Sequence, residues 1–274
     1  MTRSAGSPPT YGRVAVFGGV YSNHLALAAA IDDAEDRKVD AMFCLGDLGA
    51  FGPHPDRVFP LLRSHGVQVV RGNYDDSIAR SLDDCQCGYT DPRDNHFARI
   101  SYRYTYDHTS SENRSWMATL PHELRFRLGE LDVLCCHGSP RQTNEFLWES
   151  TTPTHFLEKL ARDHEADVVL GTHTGIHWER WWGEPGTGGG AYVNVGALGR
   201  PANDGRTEVW YTLLEADGNA LAVDFVPVSY DHEALAAQMR AEALPEEFVE
   251  TILTGWWTTC LEILPGKERA AGRF

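Results

Sequence analysis

The sequence predicts a layered α/β fold, and three observations lead there. Between residues 13 and 75, short apolar runs alternate with helix-length segments, a β-α-β-α-β order. Further on, Glu208 to Glu215 alternates in polarity and carries Trp210, which predicts a second sheet packed on the first. Polar groups also stand at the ends of the predicted strands: Gly46-Asp47, Gly72-Asn73, His137 after the apolar run Leu131–Leu134, and Thr172-His173. In α/β proteins sites are built at that rim. An Asp, an Asn and two His form a ligand set for one divalent metal.

Taken in order, Arg13 to Phe17 is the first strand, and Gly18-Gly19 turns the chain. Ser22 or Asn23 caps a helix running through Ile31, with Leu25, Leu27, Ala28 and Ile31 on its apolar side. Ala41 to Leu45 is a strand, a helix is expected near Asp56 to His65, and Val67 to Val70 is a third strand. Residues 83–110 are polar, aromatic and irregular, and read as an insertion or lid; Cys85-x-Cys87 within it is a weak metal signal without a second cysteine pair. A helix over Ser111 to Leu120 stops at Pro121. Leu124–Leu128 and Leu131–Cys135, joined by Gly129-Glu130, form a hairpin. A helix over His155 to Asp163, a strand at Val168 to Leu170, and strands near Ala191–Val195, Glu208–Glu215 and Ala220–Val228 complete the domain. Helices at Glu233–Glu242 and Glu246–Leu253 lead to a tail with Trp256-Trp257, which must dock on the domain or on a second copy, because adjacent tryptophans are too costly to leave in water. The domain organisation expected is a disordered lead-in over residues 1–12, a main domain over 13–228, and C-terminal helices and tail over 229–274.

Composition bounds the function. Hydrophobic residues make up 42% of 274, enough for a sizeable core. The net charge of -15 repels phosphate backbones, so nucleic acid is not the expected partner; a small anionic substrate held by a metal is compatible with it. No apolar stretch is long enough to span a membrane, and Met1 to Tyr11 has no apolar core of a signal peptide. Cys44, Cys135 and Cys136 fall in core strands as reduced thiols, so a cytoplasmic setting is expected.

The order Gly46-Asp47, Gly72-Asn73-x-Asp75, His137-Gly138-Ser139-Pro140 and Thr172-His173-Thr174 resembles the calcineurin-like metallophosphoesterases over roughly Arg13 to Val228, and Asn194 to Gly199 also resembles the segment that follows the last metal ligand in that family. The resemblance implies a four-layer αββα sandwich with a dinuclear metal site at the strand ends, where two metals activate water for in-line attack on phosphorus. The chain departs from the family at both ends of the pattern. The Asp-x-His of the first motif aligns with Gly19-Val20-Tyr21, and the second His of the last Gly-His-Thr-His motif aligns with Gly175. Of the ligands the resemblance implies, only Asp47 survives for the first metal. For the second, Asp47, Asn73, His137 and His173 are all present, which implies one metal per chain, with Mn, Fe or Zn all suited to the mixed O/N set.

Four residues are the candidate catalytic groups. Tyr21 fills the first-motif position, as a substrate hydrogen bonder, a plug of the vacated volume or, with His24 or His177, part of a rebuilt metal site. Tyr74 stands where the family has a general-acid His, and a phenol is a poor acid near neutral pH. Arg141 is placed to hold a phosphate oxygen or to form a surface salt bridge. His177 follows the last motif. Asp75 is expected to orient a ligand or loop, and His54 to be a solvent-facing loop residue. The expected function is hydrolysis of a small phosphomonoester or phosphodiester, with Trp178, Trp181, Trp182, Phe51 and Tyr21 available to stack a nucleotide base. The alternative is a catalytically silent metal- or anion-binding scaffold, with homo-oligomer assembly through the Trp256-Trp257 tail.

Overall fold

Two apolar faces on one strand organise the molecule. The computed structural model describes residues 8–272. Thr10–Tyr11 form β1 and Arg13–Phe17 form β2. In β2 the side chains alternate: Val14 and Val16 enter a core shared by two sheets, while Ala15 and Phe17 face a helix (α1, His24–Asp36). The same alternation in β3 (Ala41–Cys44) and β4 (Gln68–Val69) extends this sheet, which runs β11-β10-β2-β3-β4 once β10 (Val209–Asp217) and β11 (Ala220–Val228) are added. The second sheet runs β1-β5-β6-β7-β9-β8, with β5 Glu123–Leu128, β6 Leu131–Cys136, β7 Val168–Gly171, β8 His177–Trp181 and β9 Ala191–Val195. Phe126, Val133, Cys135, Leu170 and Val193 point from it into the shared core, each worth about 1.5–3 kcal/mol of burial for a large apolar side chain. Its outer face packs Leu134, Val169 and Tyr192 on Leu157 and Leu160 of α6 (Thr154–Asp163). Helix, sheet, sheet, helix is the four-layer sandwich expected.

Strand order then builds one rim. β2, β3 and β4 run parallel, as do β6, β7 and β9, so the C-terminal ends of each set come out together. The register Val133↔Val168 and Cys135↔Leu170 brings the residues just after β6 and β7 side by side. On the other sheet, α1 is capped by Asn23, whose Oδ1 accepts from Ala26 N–H at 3.0 Å. The helix runs five residues past the expected Ile31 because Ala34 adds another buried turn.

Several expectations are corrected. The lead-in ends earlier than residue 12: Tyr11 packs edge-on at 6.0 Å from Phe43 and 5.7 Å from Phe126, and β1 pairs with β5, while residues 1–7 lie outside the described residues. Within 83–110, Pro92–His108 is a 17-residue helix (α4), with α2 at Val58–Ser64 and α3 at Asn73–Ala79 before it. Asp91 caps α4 and Asp94, Phe97, Ala98, Ser101, Tyr102 and Thr105 form its buried stripe. α7 (His232–Ala241) and α8 (Glu246–Thr254) pack on it through Leu235, Met239, Phe248 and Ile252. The tail closes on its own domain. Trp257 is buried, donates from Nε1 to the Pro201 carbonyl at 2.7 Å and packs with Trp148, Leu261 and Leu264, so it is not free to join a second copy. Trp178 is likewise buried against Tyr192, its Nε1 donating to the Leu147 carbonyl, and is not free to stack a base. Cys44, Cys135, Cys136 and Cys260 are free and buried, and Cys85 and Cys87 form a disulfide. Among the described residues no helix is long and apolar enough to cross a membrane.

Candidate metal centre

Asp47, His137 and His173 meet at the rim, with one potential ligand atom from each lying within 4.8 Å of the others. Asp47 follows β3 in a left-handed conformation at φ 53°, and His173 follows β7 at φ 68°. Such backbone conformations are costly for side chains other than glycine and collect where the surrounding structure holds a site. Asp75, at the third position of α3, enforces the first of them. Its carboxylate accepts from the backbone N–H of Asp47 (2.8 Å), Leu48 (3.1 Å) and Gly72 (2.8 Å). Gly72 must be glycine, because a Cβ there would lie 2.3 Å from Asp47 Oδ1.

Backbone carbonyls set both imidazoles. His137 Nδ1–H donates to the Leu45 carbonyl at 2.6 Å, across the gap between the sheets, which makes Nε2 the inward nitrogen and, in the neutral ring, a lone-pair donor. His173 Nε2–H donates to the Cys87 carbonyl at 3.2 Å, which leaves Nδ1 inward. These two ring nitrogens face one another at 3.2 Å, with Asp47 Oδ2 3.3 Å from His137 Nε2. Two lone pairs and a carboxylate aimed at one point suit a cation. Asn73 is tied to the same short segment as His173. Its Nδ2 donates to the Cys85 carbonyl at 2.8 Å, and its Oδ1 is buried without a hydrogen-bond partner. An orphaned buried acceptor is what a metal ligand looks like when the ion is left out of account. The donor set therefore fits a divalent metal.

Charge follows from this closeness. Burial pushes Asp47 up, but the neighbouring His137 and His173 outweigh it and hold the carboxyl below its usual range. Burial lowers His137 and the charge of Asp47 more than restores it. His173, desolvated and beside His137, falls to about 3. Asp75, desolvated and near Asp47, rises to about 6.

The other candidates sit apart from the four. Tyr21 is buried with its ring against Gly19, and burial followed by the charge of Asp47 raises its hydroxyl far above the usual range. Tyr74 donates its N–H to Asp47 Oδ1 at 3.1 Å, but its hydroxyl donates to Ser101 Oγ at 3.0 Å, away from the centre. His177 packs against the rings of Trp210 (4.8 Å) and Phe225 (4.5 Å), tilted to both, so it does not rebuild a metal site. His24 turns toward Arg57, Nε2 to Nη1 at 3.4 Å, and is no ligand either. Arg141 is paired with Glu145, Nε to Oε2 at 3.2 Å, and lies 4.8 Å from the Phe156 ring. It nonetheless lines a cavity of about 160 Å³ together with His122, His137, Ser139 and Thr143.

Sequence reasoning missed three contributors: Cys85 and Cys87, whose carbonyls receive Asn73 and His173, and Phe146, whose ring lies 4.4 Å from that of His173. It also missed what packs beside the last motif. A Cβ on Gly175 (φ 78°) would meet Trp257 Cη2 at 3.2 Å, and Arg200, buried, lies 3.6 Å from the Trp257 ring and 5.1 Å from Phe51. Contacts this distant in sequence leave no local signal, except that Trp256-Trp257 had to dock somewhere.

Comparison with known proteins agrees with this geometry. Residues 13–219 match the calcineurin-like phosphoesterase superfamily domain. The chain is 25% identical to an uncharacterized protein of Methanocaldococcus jannaschii, over 88% of this chain and 98% of that one. A crystal structure of a metallophosphoesterase from Sphaerobacter thermophilus superposes with a TM-score of 0.68 at 25% identity, covering 89% of this chain and 99% of that one. A hypothetical protein from Pyrococcus horikoshii OT3 shares the fold with a TM-score of 0.73 at 24% identity, over 91% and 100%. With the sandwich, the strand-end ligands and a family match over most of its length, the chain belongs to the calcineurin-like phosphoesterase superfamily.

Proposed function

We propose that the protein is a metal-dependent phosphoesterase that hydrolyses a small phosphomonoester or phosphodiester at a mononuclear centre of Asp47, Asn73, His137 and His173. The observation that carries this is the convergence of Asp47 with two imidazoles whose opposite nitrogens are already committed, and Asn73 adds a buried Oδ1 without a partner. Mn, Fe or Zn suits these donors. A divalent cation held there supplies Lewis-acid polarisation of a phosphoryl oxygen. The chain's own residues do the rest. Asp75 holds the Asp47 loop, the Leu45 and Cys87 carbonyls fix the two imidazoles, and Arg141 grips a phosphate oxygen from the cavity it shares with His137. That cavity, about 160 Å³, is below the usual 300–1,000 Å³ of ligand sites, which favours a small phosphoester over a nucleotide. Tyr74 is committed to Ser101 and strongly held in its neutral form, so it does not protonate the leaving group. Substrates with leaving groups that depart readily as anions are therefore favoured. The four free buried cysteines suit a reducing, cytoplasmic setting.

One observation favours the second reading, a silent metal- or anion-binding module: the four ligand residues are 1–9% exposed. Turnover of p-nitrophenyl phosphate and its bis-ester by protein loaded with one equivalent of Mn(II) decides between them. Turnover that disappears in His137→Ala supports the esterase. One bound metal with no turnover of either ester leaves the binding module.

A further inference from the structure

The segment Cys85-Gln86-Cys87 holds two of the metal-ligand candidates. All three of its backbone carbonyls accept hydrogen bonds from side chains: Cys85 from Asn73 Nδ2 at 2.8 Å, Gln86 from Asn144 Nδ2 at 2.8 Å, and Cys87 from His173 Nε2 at 3.2 Å. The first and last of these donors belong to metal-ligand candidates, and each bond commits one atom of its side chain and leaves the other. On Asn73 it leaves Oδ1, buried and without a partner, and on His173 it leaves Nδ1, 3.2 Å from His137 Nε2. Cys87 Sγ also lies 3.4 Å from Asn73 Nδ2. The disulfide joins the two residues whose carbonyls do this orienting, with their Cα atoms 5.3 Å apart. Between them, Gln86 is exposed and held at φ 53°, a conformation that a glutamine leaves readily once the ring around it opens.

We propose that Cys85–Cys87 is a thiol–disulfide switch on the metal centre: closed, it fixes the carbonyls that aim Asn73 and His173, and opened by reduction it releases both and weakens metal binding. The switch rests on the metal centre proposed above. The reductant is a dithiol. Its thiolate attacks one sulfur of the pair, the other leaves as a thiolate, and the second thiol of the reductant resolves the mixed disulfide, so two electrons and two protons pass to the protein while the dithiol closes into its own disulfide. In a reducing compartment such a pair is a sensing element rather than a staple, which agrees with the four other cysteines being free thiols.

The test is calorimetric titration of the full chain with Mn(II), once oxidised and once reduced with dithiothreitol and desalted under inert gas. Losing an outer hydrogen bond to a metal ligand costs about 10–100-fold in affinity, so Kd is expected to rise at least tenfold on reduction. The variant Cys85→Ser/Cys87→Ser should show the weak value under both conditions; if it does not fold, the chemically reduced wild type still carries the test. A Kd unchanged within twofold overturns the switch. So does tighter binding on reduction accompanied by a sulfur-to-metal charge-transfer band with Co(II), which would make a thiolate a ligand. His137→Ala separates the two levels. If the oxidised wild type binds Mn(II) and His137→Ala does not, the metal centre stands whatever the redox result. If neither redox form of the wild type binds, the centre itself is wrong and the switch falls with it.

Discussion

The ring of Tyr21 occupies the space that a side chain on Gly19 would need: a Cβ on Gly19 would lie 2.5 Å from Tyr21 Cε1 and 2.7 Å from Cζ. The two positions are therefore coupled. By the resemblance, Gly19 stands where the family has its first-motif carboxylate and Tyr21 where it has a histidine. Gly19→Asp alone is expected to destabilise the fold by about 1–3 kcal/mol, the usual cost of overpacking. Combined with Tyr21→His, part of that loss should be recovered. Urea denaturation of the four corners of the cycle measures the coupling. A Gly19→Asp protein as stable as wild type would show that Tyr21 yields without cost. Adding Gly175→His to refill the second metal site meets a further obstacle, since φ there is 78° and Trp257 stands 3.2 Å away.

The metal centre has a sharper test. Replacing His137 or His173 by Ala removes a ligand, so metal affinity should fall by more than the roughly 10–100-fold that a lost outer hydrogen bond costs. Asn73→Leu, close in shape but without Oδ1, should do the same if the orphaned oxygen is a ligand. Elemental analysis of protein purified without chelator gives the stoichiometry, expected near one per chain. An Asn73→Leu protein with undiminished affinity would remove Asn73 from the ligand set.

Arg141 separates substrate binding from metal binding. It lines the cavity beside His137 but is tied to Glu145 rather than to any of the four ligands. Arg141→Ala should lower kcat/KM for p-nitrophenyl phosphate about 10- to 100-fold, the loss of a hydrogen bond to a charged group worth about 1.5–3 kcal/mol, while Kd for Mn(II) stays the same. Equal turnover by variant and wild type would assign Arg141 to the surface pair alone.

His177 predicts a pH dependence away from the metal centre. Burial between Trp210 and Phe225 is the largest cause lowering its pKa, from 6.5 to about 4; Asp204 opposes that shift and Arg206 adds to it. Between those pH values the unfolded chain binds a proton that the folded chain refuses. Stability therefore falls as pH drops from 6.5 to about 4, by up to roughly 1.4 kcal/mol per pH unit from this residue. His177→Phe should keep the aromatic packing and flatten that part of the stability curve. An identical slope in variant and wild type would mean that the ring is not desolvated.

Trp257 ties the tail to the segment that follows His173. It is 4% exposed, faces Gly175 and carries the Arg200 guanidinium on its ring. Trp257→Ala should destabilise the protein by about 3–5 kcal/mol, as for other buried tryptophans, read from the shift of the denaturation midpoint. A shift no larger than that of a surface substitution would mean that the tail is not part of the folded core.

Much of this was legible in the chain. β2, β9 and β11 could be located to the residue: the first two are short apolar runs buried on both faces, and the third alternates between exposed and buried side chains over most of its length. Asp47, Asn73, His137 and His173 could be picked out because each stands just past a strand whose ends the fold gathers on one rim. α4 was missed although Asp91-Pro92 is a strong helix start, because its buried stripe includes Asp94, Ser101 and Thr105 and so carries little apolar signal.

By itself, the sequence determined the two-sheet sandwich and which polar residues lie at its rim, since both follow from local periodicity and chain order. Only the tertiary structure decided what surrounds them: that Tyr21 packs over Gly19 and Trp257 against Gly175, that His177 and His24 are spent elsewhere, and that a disulfide-closed turn holds Asn73 and His173. Tyr21 over Gly19 apart, those are contacts between residues 12 to 86 apart, chosen by volume and hydrogen-bond direction in three dimensions, and neither quantity is written in the spacing of residues along the chain.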